Sequence, residues 1–254
     1  MRFVLRMILL SCAVWLSCAG ERPAQRARSP VEQVVTHRVE QGETWRTIAR
    51  DFYGDEDRAA DLARDNGMDA SAGPRAGSAV RVFLSERDVK RMRSRLDAAR
   101  EYNAGLDLAA AGNYAAAVGR FEESIKLDPD LADASYNLAL AYARLAYHKK
   151  AASILEDLVS VDPRNVPYRY ALGVSLFGAG DLKGAEEAFL AVLAAEPSHR
   201  KALFSLAVAQ EKRGAVERAA DAFRRYLAID SDGEWADAAR THLDALERSG
   251  GKKR

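Results

Sequence analysis

Beyond residue 98 the hydrophobic positions of this chain repeat with a period of 34 residues, four times over and without insertion or deletion. Within each period the apolar and small side chains recur three and four apart, the spacing of one face of an α-helix. The turn column Gly112, Ala146, Gly180 and Gly214 divides each period in two and predicts antiparallel helix pairs over 98–131, 132–165, 166–199 and 200–233. Pro129, Pro163 and Pro197, with Ser231 in the fourth place, end each second helix. Small residues at Gly105, Ala139, Gly173 and Ala207 are expected to lie against Ala117, Ala151, Ala185 and Ala219 where the two helices cross. The large column Phe121, Leu155, Phe189 and Phe223 is then left to fill the seam to the next unit. Residues 234–248, with Trp235, Ala238, Ala239, Leu243 and Leu246 at helical spacing, predict a capping helix, and 249–254 a disordered tail.

Upstream the pattern changes. Thr36–Glu40 and Ala79–Leu84 alternate as strands do. Between them Trp45, Ile48, Ala49 and Phe52 mark one helical face, and after the break at Gly54-Asp55, Ala59, Leu62 and Ala63 mark a second, shorter one. The order over 36–84 is strand, helix, helix, strand, with Thr44 placed to cap the first helix and Glu43 where its dipole favours an acid. Residues 85–97 read as a helical linker within a basic stretch of Arg87, Lys90, Arg91, Arg93, Arg95 and Arg100, with Asp88 and Asp97; it is either a solvated connection or a contact for anionic lipid or cell-wall polymers. The fold class expected is mainly α: a small βααβ domain, then an α-solenoid of four helix pairs and a C-terminal cap.

Charge adds little, since 38 basic and 37 acidic residues nearly cancel among 254 and give no nucleic-acid-binding excess. Both cysteines, Cys12 and Cys18, precede the folded part, which excludes an internal disulfide or thiolate metal site there. The first residues have a basic start, an apolar run from Met7 to Leu16 and then small residues, the layout of a secretory signal over 1–18. That run is shorter than the roughly 20 residues a spanning helix needs. Residues 19–35, rich in Pro, Arg and Ser, read as a flexible tether.

Three resemblances follow from these residues. Trp15-Leu16-Ser17-Cys18 resembles the lipobox of bacterial lipoproteins, which implies lipidation at Cys18, a membrane anchor and sorting to the outer membrane, facing the periplasm; Leu9-Leu10-Ser11-Cys12 is the other candidate, and a plain cleaved signal the bland one. Val39-Glu40-Gln41-Gly42-Glu43-Thr44-Trp45, Ile48-Ala49, Phe52-Tyr53-Gly54-Asp55, Asn66-Gly67 and Arg75-Ala76-Gly77 resemble a LysM domain. That resemblance implies binding of N-acetylglucosamine-containing glycans such as peptidoglycan, in a groove between Gly42, Glu43 and Thr44 on one side and Asn66, Gly67 and Met68 on the other. Trp45 stands where the family commonly has leucine and is expected in the core rather than as a sugar platform. The 34-residue columns resemble the tetratricopeptide repeat (TPR), which implies a curved array holding a peptide. Tyr102, Leu106, Tyr136, Leu140, Tyr170, Val174, Phe204 and Val208 are the expected lining, although a tyrosine in that column also packs on the neighbouring helix.

No convergent catalytic set, phosphate loop or metal-ligand spacing is present, and His37, His148, His199 and His242 are scattered and expected at the surface. The expectation is a non-catalytic envelope scaffold without cofactor, bound to peptidoglycan and to a protein partner. A regulator of a cell-wall hydrolase and an assembly lipoprotein of a secretion or pilus machine are the alternatives.

Overall fold

The computed structural model describes residues 31–233 and 235–251, so the signal, Cys12, Cys18 and most of the tether lie outside the described residues. The chain divides after residue 96 into two compact units.

In the first unit, strand β1 (Val31–Arg38) pairs antiparallel with β2 (Ala79–Ser85), with Thr36 opposite Arg81 and Val34 opposite Phe83. The strand begins earlier than the alternation suggested: residues 31–35, read as tether, belong to it. The Val34-Val35 pair hides the alternation, yet Val35 turns inward onto the core while Val34 is exposed, so the two-residue period holds. Between the strands run α1 (Trp45–Tyr53), a short 3-10 turn (Glu56–Arg58) and α2 (Ala59–Asp65). Thr44 caps α1 as expected, and Thr47 returns a bond to the Thr44 amide. Trp45, Ile48, Ala49, Phe52, Leu62, Val80, Val82 and Leu84 form the core.

Helix α3 (Glu86–Ala110) starts in this unit and ends in the next. The expected boundary between linker and first repeat therefore falls inside one uninterrupted helix. Its first turns are not a solvated connection. Val89 and Met92 pack on the first core, and Asp88 is buried between Arg58 and Arg91, accepting bonds from both and from Ser85. The hydrogen bonds and the Arg58 guanidinium outweigh the burial of Asp88 and hold its carboxyl below the usual range.

The second unit continues with α4 (Tyr114–Leu127), α5 (Ala132–Arg144), α6 (His148–Val161), α7 (Val166–Ala179), α8 (Leu182–Ala195), α9 (Arg200–Lys212), α10 (Val216–Ile229) and α11 (Ala236–Gly251). The end of α3 lies against α4, with Gly105 facing Phe121 and Ala98 accepting from Ser124, and each later pair stacks on the one before it. Ala236, Ala239 and Leu246 of α11 are buried against the last pair while Ala238 is exposed, which corrects its place in the cap. The helix also runs to Gly251, past the start of the expected tail, and 252–254 lie outside the described residues.

The small-residue column also seats the large aromatics, a contact the spacing did not assign. A Cβ on Gly105 would stand 2.5 Å from the Phe121 ring, and one on Gly173 2.6 Å from Phe189, so each glycine is the seat of the large aromatic of its own repeat. Both rings are fully enclosed. The fourth pair has Ala207 in that column, and there the ring is turned: Phe223 meets Phe204 at 76°, whereas Phe121 meets Tyr102, and Phe189 meets Tyr170, at 47°. Buried polar groups tie neighbouring helices. Ser124 donates to the Ala98 carbonyl at 2.8 Å, and Glu186 accepts from Gln210, Arg213 and Arg218.

Candidate functional site

In the first unit the two loops expected to face a glycan are built by strong local bonds. Gly42 turns the chain in the left-handed region out of β1, at φ 88°. Glu43 does not point freely outward: its Oε2 accepts from the Glu40 amide at 2.6 Å and shares a 2.7 Å bond with His37 Nε2. Thr44 is committed to the helix cap. Across the unit, Asn66 is fully used. Its Nδ2 donates to the carbonyls of Leu62 and Arg81 at 2.9 and 2.8 Å, and its Oδ1 accepts from the Arg81 amide at 2.7 Å. Gly67 and Met68 are exposed. Trp45 is buried, and its indole N–H donates to the Ala72 carbonyl at 2.7 Å, which ties the loop after α2 to the start of α1. The pattern leaves backbone groups and Met68, rather than the Glu43, Thr44 and Asn66 side chains, as what these loops present.

In the second unit the expected aromatic column lies deeper than a lining. Tyr102, Tyr136, Tyr170 and Phe204 are half-buried, and Tyr102, Tyr170 and Phe204 pack on Phe121, Phe189 and Phe223. Two of the hydroxyls reach the next repeat: Tyr102 accepts from Asn137 Nδ2 at 3.1 Å, and the Tyr170 hydroxyl lies 3.5 Å from Ser205 Oγ. Tyr136 instead packs at 5.2 Å on Tyr168, which spacing alone did not single out. Burial raises the Tyr102 and Tyr136 hydroxyl pKa values above their ordinary range. Of the aliphatic column, Val174 is exposed and Leu106, Leu140 and Val208 are half-buried. Beside them Lys212 sets its ammonium 4.9 Å from the Phe177 ring centre. The first helices thus carry a mixed strip in which the tyrosines clamp repeat to repeat and expose only part of each ring.

The four histidines are half-buried rather than free on the surface. His199 caps α9 by accepting from the Ala202 amide, His242 stacks on Phe223 and pairs with Glu211, and the His148 ring lies where a Cβ on Gly178 would go. Among the described residues no three His, Cys, Asp or Glu side chains gather into a metal-holding group, and no described helix is long and apolar enough to cross a membrane.

Three family models described as tetratricopeptide or TPR repeat match residues 105–145, 132–165 and 170–234. The second unit is an array of tetratricopeptide repeats. Its helix pairs are those the 34-residue period predicts. Among solved structures, MamA (residues 41 to the end) from Desulfovibrio magneticus RS-1 matches with 25% identity over 58% of this chain and 81% of its own, at a TM-score of 0.52. MamA AMB-1 matches with 22% identity over 61% and 84%, at 0.54. YrrB, described as a TPR protein with an unusual peptide-binding site, matches with 23% identity over 61% and 79%, at 0.54. The last two show the fold. No curated protein gives a significant match. The repeats make this chain a protein–protein interaction scaffold.

Proposed function

We infer that the protein is a non-catalytic scaffold of the bacterial envelope, which holds peptidoglycan with its first unit and a peptide segment of a protein partner along the first helices of its repeats. The observation that carries the partner half is the strip around Val174, Leu140 and Val208, part-exposed aliphatic surface on the first helices of the stacked repeats. The glycan half is supported by the strand–helix–helix–strand order and by the tying of the loop after α2 to the α1 N-terminus through Trp45 and Ala72. Backbone groups at Gly42, Gly67 and Met68 then meet the acetamide and hydroxyl groups of the sugar. The sequence before residue 31 supports export and anchoring through Cys18 at the outer membrane. A single small module binds weakly, and anchoring raises its effective concentration at the wall.

Sedimentation of the full chain with purified peptidoglycan tests the glycan half. The protein pellets with the polymer and is released by soluble N-acetylglucosamine oligomers; protein left in the supernatant overturns it.

A further inference from the structure

Where the turn between α5 and α6 meets the end of α7, the surface folds into a cavity of about 360 Å³ whose wall includes Tyr147, His148, Lys149, Lys150 and Gly178 and holds no carboxylate. Sites for small ligands run from about 300 to 1,000 Å³. The His148 ring packs on the α7 backbone, where a Cβ on Gly178 would stand 2.5 Å from its Nδ1. That nitrogen is sealed from solvent and meets no hydrogen-bond partner. A buried lone pair without a donor is tolerated more readily than a buried N–H without an acceptor, so the imidazole keeps its proton on Nε2 and offers it as a donor. Beside it the Lys150 ammonium lies 5.1 Å from the Tyr142 ring centre and 5.6 Å from that of Tyr147, which hold it without cancelling its charge. Lys149 is exposed, and among the described residues no carboxylate pairs with either lysine.

The same residues form the first turn of α6. Helices α4, α7, α8 and α9 are capped there by the side chains of Asn113, Asn165, Asp181 and His199, and α5 and α10, which lack such a cap, carry Asp133 and Glu217 instead. Helix α6 has neither, and sets a histidine and two lysines against the positive end of its dipole. Its first helical bond runs from the Ala151 amide to the Tyr147 carbonyl, so the amides of His148, Lys149 and Lys150 have no acceptor within the helix. A solvated face accounts for two exposed lysines. It does not account for a partnerless imidazole in the wall of a concavity that holds only positive and neutral groups. We propose that this cavity binds a phosphoryl dianion, with its oxygens on the His148 Nε2–H and the first-turn amides of α6 and its charge met by Lys149 and Lys150. Two ammonium groups match two negative charges, and a phosphoryl group has oxygens enough for the ring and the amides together. A carboxylate, with one charge, leaves one lysine unanswered. The site depends neither on the glycan reading of the first unit nor on the peptide strip of the first helices.

The test follows the backbone amide and histidine ring resonances of the full chain during titration with inorganic phosphate, with capped O-phosphoserine and with capped serine. Both phosphates give saturable shifts at His148, Lys149 and Lys150 that capped serine does not, and Lys149→Gln weakens both about tenfold. The Lys149 side chain is exposed, so this variant keeps the fold. Tighter binding of phosphoserine names a phosphorylated side chain as the source, and binding of inorganic phosphate at least as tight names the free ion; either result upholds the site. No saturable shift with either phosphate, shifts spread evenly over the exposed lysines, or unchanged affinity in Lys149→Gln overturns it.

Discussion

The ring of Phe189 occupies the space beside Gly173 so completely that a methyl on that glycine would stand 2.6 Å from its Cε1. Alanine is the better helix former by about 0.5–1 kcal/mol. Overpacking a closed core against a ring with nowhere to go costs about 1–3 kcal/mol, so the clash wins. Gly173→Ala and Gly105→Ala each lower the urea midpoint of the second unit. Gly119→Ala, where nothing stands within 4 Å, raises it or leaves it unchanged.

Ala146 takes the left-handed conformation, at φ 61°, in a turn column whose other members are glycines at 77°, 87° and 74°. That conformation costs a residue with a Cβ about 1–2 kcal/mol, of which the entropy of a glycine in the unfolded chain returns part. Ala146→Gly therefore stabilises the protein by about 0.5–1 kcal/mol, and Gly180→Ala destabilises it by about as much; thermal unfolding measures both.

Asn66 spends both ends of its amide inside the first unit, so its role separates cleanly from any sugar contact. Asn66→Asp sets a carboxylate against the carbonyls of Leu62 and Arg81 and costs about 1–3 kcal/mol. The thermal transition of the first unit falls, while the helical signal of the repeats is unchanged.

The tyrosines give an alkaline prediction. A bond to the Glu122 carboxylate at 2.6 Å, then burial, pushes the Tyr142 hydroxyl from 10.0 up to about 12. The folded state holds this proton more tightly than the unfolded one. Its contribution is therefore fully present below about pH 10 and is lost as pH rises through about 12. Tyr102, Tyr136, Tyr168 and Tyr226, raised first by burial, push in the same direction. Denaturation followed against pH shows stability falling across this window, and Tyr142→Phe makes the fall shallower.

The sequence carries the repeat frame openly because the 34-residue units answer the same packing problem with the same residue types: a left-handed turn, a small residue and a large one in all four, and a prolyl stop in the first three. It does not say which large residue meets which small one. Gly105 and Ala117 share a period with Phe121, and only three-dimensional packing shows that the ring, not the alanine, needs the glycine. The boundary at 97 was invisible for a related reason. Nothing in the basic run stops a helix, and the apolar Val89 and Met92 that dock it are too few to stand out among charges. Tyrosine in the expected lining was legible as a column, but the hydroxyl's contact with the next repeat, as where Tyr102 accepts from Asn137, depends on a helix 35 residues away. In the first unit Thr44 was legible as a cap, whereas the spending of Asn66 on Leu62 and Arg81 needs the strand to be in place.

The most direct test of the account follows the backbone amide resonances of the full chain during titration with N-acetylglucosamine oligomers. Saturable shifts confined to Gly42, Glu43 and Thr44 and to Asn66, Gly67 and Met68, with the repeats unmoved, are the predicted result. No shift at these six amides at millimolar oligomer, or shifts spread over the repeats instead, would contradict the account.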